Sequence, residues 1–428
     1  MLLAVALTLA LSEPVAPDDG PASIEELLER YSELRNSSLE AMSTDVSLLL
    51  KELMGHIEGD RMKSVVEVRG RLLGLGSETA PLLLSALDPG LGHGDAELEL
   101  SRQVAFVLQD LSLGSIHEPL IQMASTGSIS GRQLAVHVLG FSDDAALVGP
   151  ALRAIYASEV RFVDLAILEA LARLGDEEDL SFVADRLTSE VSKEVNDALT
   201  AFARVRVSEA SDAVLSLAAD TPTAANHADL LCDWYRACPD AFNDEHCEAV
   251  LNLVKYSRLS SELRIELLKV LSAHEREWPS GTKKALREMV KRADPEFRRE
   301  VLIVLTLAGD GNARRDLIEP LESSLNESFF TSDRLTKLAH VYYRIQEYRD
   351  AIKYYRRAFA DGLYSVSDRR AVYLGLARCY AKEKKYKDAE EWLGKVPISR
   401  DELAKLALDP DFVQMASSKR YRKAFGID

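Results

Sequence analysis

The chain has 428 residues, 47% of them hydrophobic and 28% charged, with a net charge of −17. These proportions describe a folded protein of about two to four domains and exclude a disordered polyelectrolyte. The charge is uneven: residues 331–428 carry 21 Lys and Arg against 14 Asp and Glu, a net +7, and the rest carries 31 against 55, a net −24. An acidic body with a mildly basic end lacks the concentrated positive charge that phosphate backbones require, so no nucleic-acid partner is expected.

Met1 to Leu11 is an apolar run of signal-peptide core length, too short to span a bilayer. Small residues and the Pro/Asp/Gly stretch Pro14–Pro21 follow it, although no Lys or Arg precedes it. Residues 1–20 are therefore expected to be a signal peptide and flexible lead, and the protein to be periplasmic or secreted, with no transmembrane segment in the mature chain. Asn36-Ser37-Ser38 and Asn326-Glu327-Ser328 match the glycan acceptor pattern, a short motif with little meaning by itself. Residues 21–60 form a helical cap, with Pro21 and Ser23 ahead of an acidic first turn.

From 61 to 330 the signal is apolar positions three and four apart, without the alternation that marks a sheet. "VVEVRGRLLGLGSETAPLLLSALDPG" reads as helix, glycine-bearing turn and helix. "GRQLAVHVLGFSDDAALVGPALRAI" and "FVDLAILEALARLGDEEDLSFVADRL" repeat the arrangement, placing Gly140 and Gly175 in matching turns 35 residues apart. Asp143, Asp144 and the run Asp176–Glu178 lead into the second helix of each pair, where exposed N–H groups favour acids. Fainter copies follow, the weakest being Ala228–Tyr256, which holds Trp234, Tyr235, Cys232, Cys238 and Cys247. Cys238 and Cys247 could meet across "PDAFNDE" as a disulfide, or all four cysteines could be ordinary buried thiols. One hairpin cannot bury its apolar face alone and needs a stacked neighbour. On "LLGLGSETAPLLLSALDP", "LGFSDDAALVGPALRAI" and "LGDEEDLSFVADRL" the segment resembles HEAT repeats, which implies a curved solenoid that binds other proteins.

Residues 331–428 carry a sharper repeat. "LTKLAHVYYRIQEYRDAIKYYRRAF" and "YLGLARCYAKEKKYKDAEEWLGKV" align at an offset of 38: Leu338 with Leu376, Ala339 with Ala377, Tyr342 with Tyr380, Tyr348 with Tyr386, Ala351 with Ala389, Tyr355 with Leu393 and Ala358 with Val396. Small residues at Ala339 and Ala351, and at Ala377 and Ala389, let paired helices approach closely, and the tyrosines fill the space around them. Most of these tyrosines are therefore structural. This pattern resembles tetratricopeptide repeats, with four residues added to the usual 34 in the loop "DGLYSVSDRR". "SRDELAKLALDPDFVQMASSKRYRKAFGID" is expected to close the stack with a helix from Asp401 to Leu408 and a short one after it. In that family first-helix residues line a peptide groove, and the resemblance maps the lining onto His340, Tyr343, Arg344, Arg378 and Lys382. Such a lining is basic and suits an acidic peptide. Thr336 and His340 stand where the carboxylate-clamp version of the family has its first-repeat polar residues, so that specific chaperone-tail specificity is not implied.

The sequence holds no phosphate-binding loop, no HExxH and no serine elbow; "GLGHGD" at 90–95 follows no strand and reads as a loop. His246 and Cys247 are adjacent and point different ways on a helix, short of a zinc set. No metal or cofactor is therefore expected. The fold class is all-α, an alpha-solenoid of stacked helical hairpins, HEAT-like and then TPR-like. The function expected is a non-enzymatic protein-protein scaffold. The alternatives are a structural spacer subunit of an envelope-associated assembly and an enzyme with a pocket at the module boundary near Ser324–Asp333.

Overall fold

The structure is a computed structural model that describes residues 42–90, 93–158, 163–273, 280–291, 294–325, 331–363 and 365–427. The apolar lead, both glycan acceptor triplets and the first part of the expected cap lie outside the described residues. Every regular element among the described residues is helical, as the three-and-four spacing dictates. The chain divides into two compact units at Val214 and Leu215, inside the segment read as one run of hairpins.

The amino-terminal unit contains α1 (residues 42–58), α2 (Met62–Gly74), α3 (Ala80–Leu83), α4 (Asp95–Leu108), α5 (His117–Thr126), α6 (Ile129–Leu139), α7 (Ala145–Ala157), α8 (Asp164–Leu174), α9 (Glu177–Ala184) and α10 (Ser192–Val205), and ends within α11 (Ser211–Ala219). Helices α2, α4, α6, α8 and α10 pack in succession as one layer, and α5, α7 and α9 as a second. Each helix of the first layer buries the same pair four residues apart: Val68 and Leu72, Val104 and Leu108, Ala135 and Leu139, Ile167 and Leu171, Ala198 and Phe202. Two residues one helical turn apart share a face, so five such pairs make a continuous apolar seam. Enclosing each Leu or Phe stabilises the stack by about 1.5–3 kcal/mol. Helices α4 and α5 add one member to each layer, a pair that the turn signals did not single out.

The helix starts follow the acids. Asp144 accepts the amide of Leu147 at 3.1 Å and Asp176 that of Glu178 at 3.0 Å, each closing orphan N–H groups of α7 and α9. The paired turn glycines serve different purposes. Gly175 ends α8 with φ +72°, a left-handed conformation that glycine adopts without a side-chain clash. Gly140 has φ −65° and an ordinary backbone. A Cβ there would lie 2.9 Å from Ala170 Cα, so its small size lets α8 come close.

The carboxy-terminal unit begins in α11 and contains α12 (Thr221–Ala224), α13 (Ala228–Ala237), α14 (Asp244–Lys255), α15 (Ser261–Ala273), α16 (Ser280–Val290), α17 (Pro295–Leu307), α18 (Gly311–Ser324), α19 (Ser332–Arg344), α20 (Tyr348–Asp361), α21 (Val366–Lys382), α22 (Tyr386–Leu393), α23 (Arg400–Leu406) and α24 (Val413–Ser417). Helices α13, α15 and α17 pack in succession, and α19 packs on both α20 and α21. The weakest copy in sequence is densely packed. Trp234 and Tyr235 are fully enclosed, and the Tyr235 hydroxyl meets His246 Nδ1 at 3.0 Å. All four cysteines are buried thiols.

The 38-residue offset is also written in the backbone. Ala339, Ala351, Ala377 and Ala389 are all fully buried. The turn between α19 and α20 passes through Gln346 at φ +63°, and the turn between α21 and α22 through Lys384 at φ +58°. Each is followed by the same bond, Glu347 N–H to Tyr342 O at 2.9 Å and Lys385 N–H to Tyr380 O at 2.8 Å. Two hairpins thus share side-chain packing and turn geometry. The closing helix runs Arg400–Leu406, started by a reciprocal Ser399–Glu402 cap. Asp409-Pro410-Asp411-Phe412 then separates it from α24.

Candidate functional site

Tyr343 ends the first helix of one repeat, and Arg378 and Lys382 end the first helix of the next. Because α19 packs on α21, these side chains project into a common space. The segment Asp409–Asp411 of the same chain fills it. The Tyr343 hydroxyl donates to Asp411 Oδ2. Arg378 Nη2 donates to Asp409 Oδ2 at 2.8 Å, and its Nε lies 3.4 Å from Asp411 Oδ2. Lys382 Nζ lies 3.2 Å from Asp411 Oδ1. Asp411 is thus held by three side chains from two helices.

The segment is ordered by its own bonds as well. Asp409 Oδ1 accepts the Asp411 amide at 2.9 Å, and Asp409 O accepts the amides of Phe412 and Val413 at 2.8 and 2.9 Å. Pro410 narrows the backbone freedom between the two acids. Phe412 is fully buried against Phe425, ring centroids 5.7 Å apart, which anchors the segment to the closing helices.

The electrostatics follow from this geometry. Burial, with the Asp411 carboxylate beside it, pushes the Tyr343 hydroxyl far above its ordinary range, so it stays a donor. Burial alone would lower the Arg378 guanidinium, yet the bond to Asp409 and the neighbouring carboxylates raise it. Arg378 Nε is nevertheless buried without a hydrogen-bond partner. Its ionic contact with Asp411 lacks hydrogen-bond geometry.

The other two expected lining residues behave differently. Arg344 Nη1 donates to both carboxylate oxygens of Glu300, at 3.0 and 2.7 Å, and Glu300 is 3% exposed. That pair ties α19 to α17, so Arg344 is committed to packing between hairpins. His340 keeps an exposed edge and stacks on Tyr343 at 6.2 Å. Partial burial, with Arg344 next to it, lowers its pKa below 6.5, so at neutral pH it adds no positive charge. Thr336 spends its hydroxyl on Ser332 O of its own helix at 2.8 Å. Tyr342 and Tyr354 stack at 5.2 Å and both donate to Glu322 Oε1, at 3.1 and 2.8 Å. They are packing residues, as expected of most tyrosines in the repeat. Glu322, which no sequence signal singled out, is their acceptor on α18.

Elsewhere the chemistry is structural. Among the described residues no group of three or more His, Cys, Asp and Glu is arranged to hold a metal ion. Burial pushes the Cys232 and Cys379 thiols up to about 12, which keeps them protonated and poorly nucleophilic. An open depression on the amino-terminal unit is lined by Arg153, Asp176, Glu178 and Asp185 among others. Its one cation is already paired, since Arg153 contacts buried Asp179 and lies 3.1 Å from Glu178. No described helix is long and apolar enough to cross a membrane.

No protein-family model matches this chain, and neither does any curated protein. Among solved structures it is similar to a circular tandem repeat protein with novel repeat topology and enhanced subunit contact surfaces. The identity is 17% over 88% of this chain and 87% of that one, with a TM-score of 0.16. The architecture described above rests on the chain's own helix contacts.

Proposed function

We propose that this chain is a non-catalytic interaction scaffold, HEAT-like and then TPR-like, whose carboxy-terminal repeats take an acidic segment of another protein. The stacked-hairpin architecture fits such a scaffold, because repeat stacking holds extended faces in shape without a catalytic centre. One observation carries the acidic-peptide reading: Tyr343, Arg378 and Lys382 converge on two carboxylates of an ordered turn, Asp409 and Asp411. That constellation is a worked example of the ligand chemistry the face accepts. The apolar lead at Met1–Leu11 supports a periplasmic or secreted setting, which amino-terminal sequencing of the protein from its host would test.

The test is a peptide array of systematically varied charge, probed with the purified chain. Captured peptides should be enriched in paired acids, and Arg378→Glu with Lys382→Glu should weaken their capture at least tenfold while far-ultraviolet circular dichroism stays unchanged. Capture that is indifferent to peptide charge, or to the two substitutions, would sink the reading.

A further inference from the structure

We infer that the segment Asp409–Asp411 is a resident pseudo-ligand that competes with external acidic peptides for the groove between α19 and α21. The inference rests on the acidic-peptide reading and adds its regulation. The groove's available polar groups are spent on this segment: the Tyr343 hydroxyl and Lys382 on Asp411, and Arg378 on Asp409 and Asp411. An incoming carboxylate therefore has to displace one already there.

Two features suit the segment to compete without sealing the site. First, it is tethered. The acids lie 31 and 33 residues along the chain from Arg378, and a tethered ligand acts at an effective concentration up to the millimolar range. An external peptide then binds only the open fraction, and its apparent Kd rises by the inverse of that fraction. Second, its fit is incomplete. Arg378 Nε is buried and makes no hydrogen bond, so a carboxylate placed to accept from it would gain an interaction the resident lacks. The anchor is separate from the clasp. Phe412 packs on Phe425, and Met415 is fully buried, so the acids can leave the groove while the closing helices keep their core.

The experiment uses the full chain and a dye-labelled hexapeptide reproducing Leu408–Val413, followed by fluorescence anisotropy. In Asp409→Asn with Asp411→Asn, the Asn oxygen at 409 can still accept the 411 amide, so the turn is kept while both charges are removed. This variant should bind the hexapeptide at least tenfold more tightly than the natural chain, equivalent to about 1.4 kcal/mol. Equal affinities within twofold would overturn the competition and leave the acidic-peptide reading standing. No binding to either chain would overturn both. Amide hydrogen exchange on the natural chain gives a readout that does not depend on the variant folding. Saturating hexapeptide should speed exchange across residues 409–413 with little change at Phe425. Unaltered exchange with the peptide bound would again exclude displacement.

Discussion

A buried carboxylate carries different meanings according to its partners. Asp310 starts α18, accepting the amides of Asn312 and Ala313 at 3.1 and 3.3 Å, and Arg287 Nε donates to it at 2.6 Å. Burial would raise its pKa, but the Arg287 bond and the two amides together hold it below 3.8. A depressed acid stabilises the fold fully above its unfolded value, and that contribution is lost as pH falls through the folded pKa. Asp310→Asn keeps the cap acceptor and removes the charge. It should cost about 1–2 kcal/mol near neutral pH, with the gap in urea midpoint closing in strong acid. A gap that stays constant with pH would contradict the charge-based account. Asp179 has the opposite sign: burial raises its pKa despite Arg153, so its ionised form disfavours folding as pH rises through the folded value. Arg344 and Arg378 make the same point for cations. One is spent on Glu300 between hairpins, and the other faces the groove.

At the scale of the helix, close approach sets the sequence. Gly375 lies on α21 where a Cβ would come 2.4 Å from Tyr355 Cζ and within 2.8 Å of two further ring carbons. Tyr355 is 3% exposed and has no room to retreat. In an exposed helix, exchanging Gly for Ala would stabilise by about 1 kcal/mol. Here overpacking should dominate, so Gly375→Ala is expected to destabilise by about 1–3 kcal/mol in chemical denaturation. A gain in stability would show that the ring does not seat against this glycine. The two repeats tolerate Gln346 and Lys384 in left-handed turns for a related reason. The buried alanines on either side hold each hairpin in register, and the turn backbone follows.

Across the carboxy-terminal unit, hairpins are joined by side chains far apart in sequence. Arg344 meets Glu300, Tyr342 and Tyr354 meet Glu322, and Nε and Nη2 of Arg314 donate to Glu347 at 2.6 and 2.7 Å. Helices α17 to α20 are therefore laced together within one compact unit. Removing one partner of a buried pair leaves the other charge uncompensated. Arg344→Ala should cost about 3–5 kcal/mol, because Glu300 would keep only Arg299, 3.7 Å away. Glu300→Leu in the same chain should recover part of the loss, measured as the coupling in a double-mutant cycle. Additive losses would mean that the two residues act independently.

The sequence by itself determined the helical hairpins, the acids at helix starts, the buried alanines and the 38-residue repeat. These depend on neighbours within a turn or on a fixed spacing, and such patterns are legible locally. Only the tertiary structure decided which partner each charge takes. Arg344 and Arg378 both lie on the first helix of a hairpin, yet their partners lie 44 residues before and 31 after. The acidic turn that separates the closing helices is also what Tyr343, Arg378 and Lys382 hold. The physical reason is that side-chain periodicity names the buried face of a helix, whereas ion pairing depends on which exposed faces the packed helices bring together.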